Sequence, residues 1–197
     1  LKQASDRRLW IGTELGVSVY DGYCFDNFQY TRTNETIGRV LCITEDAQKG
    51  IWIGGDKGLF YYNGYVIQKL EKQGAAQLAV EALHTDGNGI IWIGDINALY
   101  KITKEESRSV KDNPGNTITL SPVASFTQRV FGITSDRLQN IYVGSYNGIF
   151  RVSSGTDKYE TVWMNPDPAK PVLSVAALSP DSIFWNCLNS HPAEMIR

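Results

Sequence analysis

Asp46-Ala47-Gln48-Lys49-Gly50-Ile51-Trp52-Ile53-Gly54 is the stretch that decides the fold, because its parts return along the chain. Leu9-Trp10-Ile11-Gly12, Ile51-Trp52-Ile53-Gly54, Ile91-Trp92-Ile93-Gly94 and Ile141-Tyr142-Val143-Gly144 are copies of one motif, with aromatics 42, 40 and 50 residues apart. A period of about 40–45 residues marks a repeat architecture. Asp46, Asp86 and Asp136 each stand six residues before the aromatic. Before them runs Val-x-x-Ile/Leu: Val40 with Ile43, Val80 with Leu83, Val130 with Ile133. After the motif comes a small or turn-forming residue and then an apolar pair, as in Gly16-Val17, Gly58-Leu59-Phe60, Asn97-Ala98-Leu99-Tyr100 and Gly148-Ile149-Phe150. Several features in register are far more specific than any one of them.

In the copy from Arg39 to Leu70, Val40 to Thr44 is β-branched and apolar and reads as a strand. Asp46 to Gly50 is a polar hairpin connection, and Ile51 to Gly54 a second strand with the aromatic at its centre. Gly55 to Gly58 turns again, Leu59 to Tyr62 is a third strand, Asn63-Gly64 a tight turn, and Tyr65 to Leu70 a fourth strand. A lone four-stranded meander cannot bury both faces. Stacking such sheets around an axis buries Trp and Ile between neighbours. The expectation is an all-β chain, a β-propeller of four-stranded antiparallel blades. The glycine after Trp-Ile is expected to permit a sharp turn or the approach of a neighbouring backbone.

The blades are expected at about 1–36, 37–78, 79–127, 128–171 and 172–197. The first opens near a second strand, since nothing before Asp6 resembles Val-x-x-Ile. The fifth is degenerate: Val175 and Leu178 match the inner strand, Asp181 the turn and Ile183-Phe184-Trp185 the second strand, with Asn186 in place of glycine. About five blades that begin and end mid-repeat read as one piece of a larger, seven-bladed ring.

A net charge of −2 and a pI near 5.7 argue against a nucleic-acid surface, which needs a basic stripe. No apolar run approaches the roughly 20 residues of a membrane span. Cys24, Cys42 and Cys187 have no metal-type spacing and read as buried small hydrophobes. Asn34-Glu35-Thr36 has the form of a glycosylation sequon, a triplet common by chance. No metal or other cofactor is expected. The aspartates at 46, 86, 136 and 181 open hairpin turns, where Asp bonds nearby backbone N–H groups. His84 and His191 lack partners at ligand spacing. No nucleophile-elbow phrase supports a hydrolase, and Gly54 to Gly58 joins two strands rather than a strand and a helix, unlike a phosphate loop. Trp10, Trp52, Trp92 and Tyr142 read as inter-blade packing.

Binding is expected in loops on a rigid scaffold. In a meander propeller the turns joining second and third strands share one face with the connections between blades. The candidate ligand residues are Asp56, Lys57, Asp95, Asn97, Tyr146 and Asn147, from three such turns. Their charged and amide groups and one ring suit a polyhydroxylated ligand. The stretch Thr103 to Gln128, which lengthens the third period, reads as an inter-blade connection on that face, either a binding loop or a plain insertion.

Asp46 to Gly54 with Gly58 to Gly64, and Asp86 to Gly94 behind them, resemble the two-component regulator propeller repeat. Ala98 departs from it in place of glycine. The resemblance implies the periplasmic sensor region of an inner-membrane hybrid two-component system of the Bacteroides type. There, paired seven-bladed propellers often respond to oligosaccharides. It also implies as partners an oligosaccharide, the rest of the ring, a second propeller and a second copy of the receptor in a homodimer. It brings no catalytic residue. Two alternatives are a streptogramin-lyase-like enzyme, which would need a metal and a channel histidine, and an interaction scaffold of the WD-repeat kind, whose His-to-Trp-Asp signature is missing.

Overall fold

The computed structural model describes residues 1–73, 78–112, 117–125, 129–156, 158–167, 169–180, 182–187 and 194–196. Asp181, His191 and the 113–116 segment of the long insertion lie outside them. Among the described residues the chain is all-β apart from one helix, arranged as five consecutive antiparallel sheets. The first holds β1 (Lys2–Gln3), β2 (Leu9–Thr13), β3 (Gly16–Tyr20) and β4 (Phe25–Phe28) in that order. The second runs β5 (Val40–Glu45), β6 (Ile51–Gly55), β7 (Gly58–Tyr62) and β8 (Ile67–Lys72). The third has β9 (Ala82–Thr85), β10 (Ile91–Gly94) and β11 (Ala98–Ile102). After β11 come α1 (Lys104–Asp112), β12 (Thr117–Ile118) and β13 (Ser121–Ser125), and β13 is this sheet's fourth strand. The fourth runs β14 (Val130–Ser135), β15 (Ile141–Ser145), β16 (Gly148–Val152) and β17 (Tyr159–Met164). The fifth has β18 (Val172–Ser179), β19 (Ser182–Cys187) and β20 (Glu194–Ile196). The second strand β2 packs on the inner strand β5, and inner strands pack side by side in the order β5/β9, β9/β14 and β14/β18. No packing of that extent joins the fifth sheet to the first among the described residues. The arc is open there, and Leu9 and Ile11 are part-exposed where Ile51 and Ile53 are buried.

One contact builds every joint of the arc. A Cβ placed on Gly12, Gly54, Gly94 or Gly144 would come within 2.8, 2.4, 2.5 or 2.8 Å of Cγ1 of Val40, Val80, Val130 or Val172 on the next sheet. These glycines are not turn residues. Each is a hole in a second strand that receives the valine leading the next inner strand. Around each hole the motif aromatic and its apolar neighbours close. Trp52 clusters with Val80, Ile91 and Ile93, Trp10 with Val40, Ile51 and Tyr62, and Tyr142 with Val172 and Ile183. Trp10, Trp52 and Tyr142 have no exposed surface.

Three expectations need correction. Lys2–Gln3 pairs with β2 with Lys2 opposite Trp10, as Thr44 lies opposite Trp52, so the first sheet has a short inner strand. In the fifth sheet Val172, not Val175, fills the valine position. Register assigns it, Val172 lying opposite Cys187 as Val40 lies opposite Gly55, while Val175, in the place of Ile43, shares the Gly144 hole, its Cγ2 also 2.8 Å from the Cβ position. The spacing agrees with the other repeats: Phe184 stands where Trp52 does, twelve residues after Val172 as Trp52 is after Val40.

The third concerns Thr103 to Gln128. Its described part joins the third and fourth strands of one sheet, so it lies on the opposite face from the inter-blade connections. Thr103 and Glu106 cap α1 reciprocally: Glu106 N–H donates to Thr103 Oγ1 at 3.2 Å and Thr103 N–H to Glu106 Oε2 at 2.7 Å. Val110 joins the core with Trp52 and Ile102. β12 then pairs in parallel with β8, Thr117 opposite Glu71, and covers the second sheet's outer edge. The insertion of one blade thereby latches the blade before it.

Gly94→Ala should lower stability by about 1–3 kcal/mol, since the new methyl meets Val130 Cγ1. Denaturant titration of Gly94→Ala, Val130→Ala and the pair should show a double-variant cost below the sum of the two. Strict additivity would rule out the valine-in-glycine joint.

Candidate functional site

The two faces of the arc are built differently. On the face of the strand-one-to-two turns, each repeated aspartate works as a clamp. Asp46 Oδ1 accepts N–H of Gln48 at 2.9 Å and of Gly50 at 2.8 Å, while Oδ2 accepts Trp52 Nε1–H at 2.9 Å. Asp86 repeats this with Asn88 at 2.9 Å, Ile90 at 3.0 Å and Trp92 Nε1 at 2.9 Å. Asp136 holds Leu138 and Asn140 N–H, both at 2.9 Å, and takes the Tyr142 hydroxyl at 3.1 Å. Burial first, then the Asp136 charge, pushes the Tyr142 hydroxyl up to about 12. These carboxylates are buried and committed to the fold, in line with the turn reading. Asp46 Oδ2 also accepts Ser107 Oγ–H of α1 at 3.0 Å, and Lys111 reaches the Gln48 carbonyl at 3.1 Å.

The first turn keeps the clamp's shape without its carboxylate. Ala4 N–H bonds Arg8 O at 2.9 Å and Arg7 N–H bonds Ala4 O at 2.9 Å, with Arg7 at φ 72° as Lys49 is at 64°. Ala4 occupies the aspartate's place, and Trp10 Nε1 is buried without a partner among the described residues. The Arg8 guanidinium lies over the Trp10 and Tyr62 rings, 5.7 and 5.8 Å from their centroids. Glu45 reaches across from the second sheet to take Ser5 N–H at 2.8 Å and Ser5 Oγ–H at 2.7 Å.

Inner strands are also tied laterally by a polar pair at two of the joints. Thr44 and Thr85 hydroxyls are 2.9 Å apart, and His84 Nε2 lies 2.8 Å from Ser135 Oγ. Burial holds the His84 imidazole below its ordinary range, with Lys2 adding to this and Asp86 opposing it. His84 is therefore a structural strand residue, as its sequence context suggests. The cysteines divide. Cys187 is buried, and burial pushes the Cys42 thiol up, its sulfur facing the Val80 carbonyl. Cys24 is exposed in the turn before β4 and not a core residue, and the Asp21 charge raises it. No group of three metal-ligating side chains occurs among the described residues.

The other face carries the six candidate ligand residues, on the β6–β7, β10–β11 and β15–β16 turns. Asp56 Oδ1 accepts Arg39 N–H at 2.9 Å, so it pins the start of its own inner strand. Gly38 must be glycine there: its φ is +70° and a Cβ would fall 2.5 Å from Lys57 Cγ. Asp95 Oδ1 accepts Ile96 N–H at 2.6 Å and Ala79 N–H at 3.3 Å, the same device one blade on. Tyr146 sets its edge on Phe131, centroids 5.0 Å apart. The Tyr146 and Asn147 carbonyls accept Asn165 Nδ2–H at 2.8 Å and Asn165 N–H at 2.9 Å. Lys57 and Asn97 are exposed. The six share a face, and Asp56, Asp95, Tyr146 and Asn147 are bound into their own blades.

Sequence reading passed over the corresponding turn of the first sheet, Thr13-Glu14-Leu15. Beside it a concavity of about 330 Å³ opens along β3 and β4, lined in part by Ser18, Asn27 and Gln29. Ser18 stands where the second, third and fourth sheets carry Phe60, Tyr100 and Phe150, rings that pack on the preceding sheet, so this flank of the first sheet is an inter-blade side.

This geometry is that of known propellers. The extracellular domain of a hybrid two component system from B. thetaiotaomicron superposes with a TM-score of 0.72, at 16% identity, over 93% of this chain and 25% of that one. PorZ, a surface component of the type-IX secretion system of Porphyromonas gingivalis, gives 0.68 at 15% identity over 95% and 30%. The WD40 β-propeller domain of Doa1 gives 0.66 at 13% identity over 91% and 57%. The chain thus spans about a quarter to a third of the first two. No protein-family model and no curated protein matches the sequence. At these identities the likeness is one of fold.

Ala4→Asp should supply the missing clamp and pair the buried Trp10 N–H. A gain of about 1 kcal/mol is expected in denaturant unfolding, and a loss would show that the first turn has settled on its Arg8 cover instead. For His84 the folded group binds its proton less readily than the unfolded one, whose ordinary value is 6.5. The stability it contributes is present above 6.5 and falls as pH drops through the folded value. Unfolding midpoints from pH 8 to 5 should fall on the acid side, and less so in His84→Gln, which can keep the bond to Ser135.

Proposed function

We propose that this chain is part of the extracytoplasmic, ligand-sensing propeller of a hybrid two-component sensor, that it binds an oligosaccharide and that it catalyses no reaction itself. The observation that carries the reading is the match of its five-sheet arc to the extracellular domain of such a system, over nearly all of the chain. The Asp-to-Trp-Ile-Gly repeat points the same way. The polar turn face suits a polyhydroxylated ligand, whose hydroxyls each need a donor or acceptor. In this reading the chain works in the periplasm with the rest of its ring, a second propeller and a second receptor copy. Asp56, Lys57, Asp95, Asn97, Tyr146 and Asn147 remain the candidate contacts on the turn face.

Thermal unfolding and calorimetric titration against an oligosaccharide panel test it. A ligand at a hundred times its Kd should stabilise the fold by about 2.7 kcal/mol. Tyr146→Ala and Asn147→Ala should weaken a ligand that spans the β15–β16 turn. A panel that neither binds nor raises the midpoint would remove the oligosaccharide reading.

A further inference from the structure

We infer that the cleft between the third and fourth sheets, on the face of the aspartate clamps, is a binding site for a single uncharged sugar or comparable small polyol. It lies on the opposite face from the six turn residues and so goes beyond the oligosaccharide reading above. Every clamp oxygen has a partner, but a carboxylate oxygen accepts two donors. In the second sheet Asp46 Oδ2 takes both, Trp52 Nε1–H at 2.9 Å and Ser107 Oγ–H at 3.0 Å. In the fourth, Asp136 Oδ2 takes the Tyr142 hydroxyl at 3.1 Å and Asn140 Nδ2–H at 2.9 Å. In the third, Asp86 Oδ2 takes Trp92 Nε1–H at 2.9 Å and no second donor among the described residues. Asp86 is 7% exposed, and a cavity of about 130 Å³ opens beside it. A buried charged oxygen short of a donor gains most from a ligand that supplies one.

Topology explains why the third clamp is left open. The second is covered by α1, which leaves the third sheet after β11 and lays Ser107 on Asp46. The equivalent connection of the fourth sheet, between β16 and β17, is only residues 153–158. The fourth repeat closes its own clamp with Asn140, four residues after the aspartate, where the third has Ile90. Both walls of the cleft are present in mid-chain: Asp86, Asn88 and Trp92 belong to the third sheet, and Ile141, Val152 and Ser153 to the fourth. The donors that complete the other two carboxylates are uncharged, a hydroxyl and an amide, so a ligand hydroxyl suits Asp86. Asn88, Gln139 and Ser154 offer partners for further hydroxyls, and Gln139 is fixed across the joint by Gly87 N–H at 2.7 Å. Trp92 and Val152 supply apolar surface for C–H groups. Lys101 also lines the cleft. A ligand ammonium would meet its charge and a ligand carboxylate would meet that of Asp86, so an uncharged polyol is selected. The volume lies below the roughly 300–1,000 Å³ of drug-sized sites, which limits the ligand to one small unit.

Satisfying Asp86 from within the chain is the test. The protein is titrated calorimetrically with glucose, galactose, mannose and xylose, with glucosamine as the ammonium arm and glucuronate as the carboxylate arm. At least one neutral sugar should bind. Ile90→Asn, which installs the asparagine that the fourth repeat carries, should weaken that binding by about tenfold or more. Ser154→Phe, at the exposed rim, should weaken it by about tenfold through bulk while leaving the unfolding midpoint unchanged, which keeps the test decisive if Ile90→Asn folds poorly. If a neutral sugar binds the wild type and both variants equally well, the cleft is not its site and the proposal is refuted. Tighter binding of glucosamine or glucuronate than of every neutral sugar overturns the uncharged assignment. If no neutral sugar binds the wild type, the cleft holds only solvent and the proposal falls, while the oligosaccharide reading, which concerns the opposite face, stands.

Discussion

Everything in this arc depends on a valine entering a glycine. Val40, Val80, Val130 and Val172 each stand over a glycine of the preceding sheet, at separations only a missing Cβ allows. The contact fixes two things at once. It sets how closely neighbouring second and inner strands approach, and so whether Trp, Ile and Phe side chains close around the joint without voids. It also sets the register between blades, because the valine fits one position along the facing strand. The aromatics supply most of the buried apolar area, but they are large and tolerant of angle. The small residue decides the geometry to which they conform.

The aspartate clamp is the local counterpart of that joint. One carboxylate satisfies two turn N–H groups and one indole or phenol, so it fixes the turn and the rotamer of the ring together. The clamp explains why a row of buried carboxylates carries no chemistry: each oxygen is already used. Where the first repeat lacks it, the backbone turn survives and the indole N–H is left unpaired. The same device at the other end of the sheets, Asp56 and Asp95 on the starts of their inner strands, makes the turns of that face stiff. Stiff turns on a packed scaffold are a good place for recognition, since little conformational entropy is lost on binding.

Much of this was legible in the sequence, and the misses have physical causes. Strand alternation, turn chemistry and the Trp-to-Asp spacing are local, and they gave the blades of the middle repeats. The capping box Thr103-x-x-Glu106 announced α1, yet a nine-residue polar helix carries little periodic signal, and the segment read as a loop. Its side of the arc followed from strand parity: a connection after a third strand leaves from one face, and one after a fourth strand leaves from the other. Reading Thr103 to Gln128 as following a fourth strand put it on the wrong face. In the fifth repeat, two valines three residues apart both satisfy a pattern and both reach Gly144, and the strand register tells them apart: Val172 lies opposite Cys187 as Val40 lies opposite Gly55.

By itself, then, the sequence determined the repeat, the four-stranded unit, the role of the aspartates and the burial of the motif aromatics. Each of these is set by residues within about ten positions of one another. The tertiary structure alone decided how each valine meets its hole and which blade α1 and β12 secure. Those depend on partners about forty residues apart.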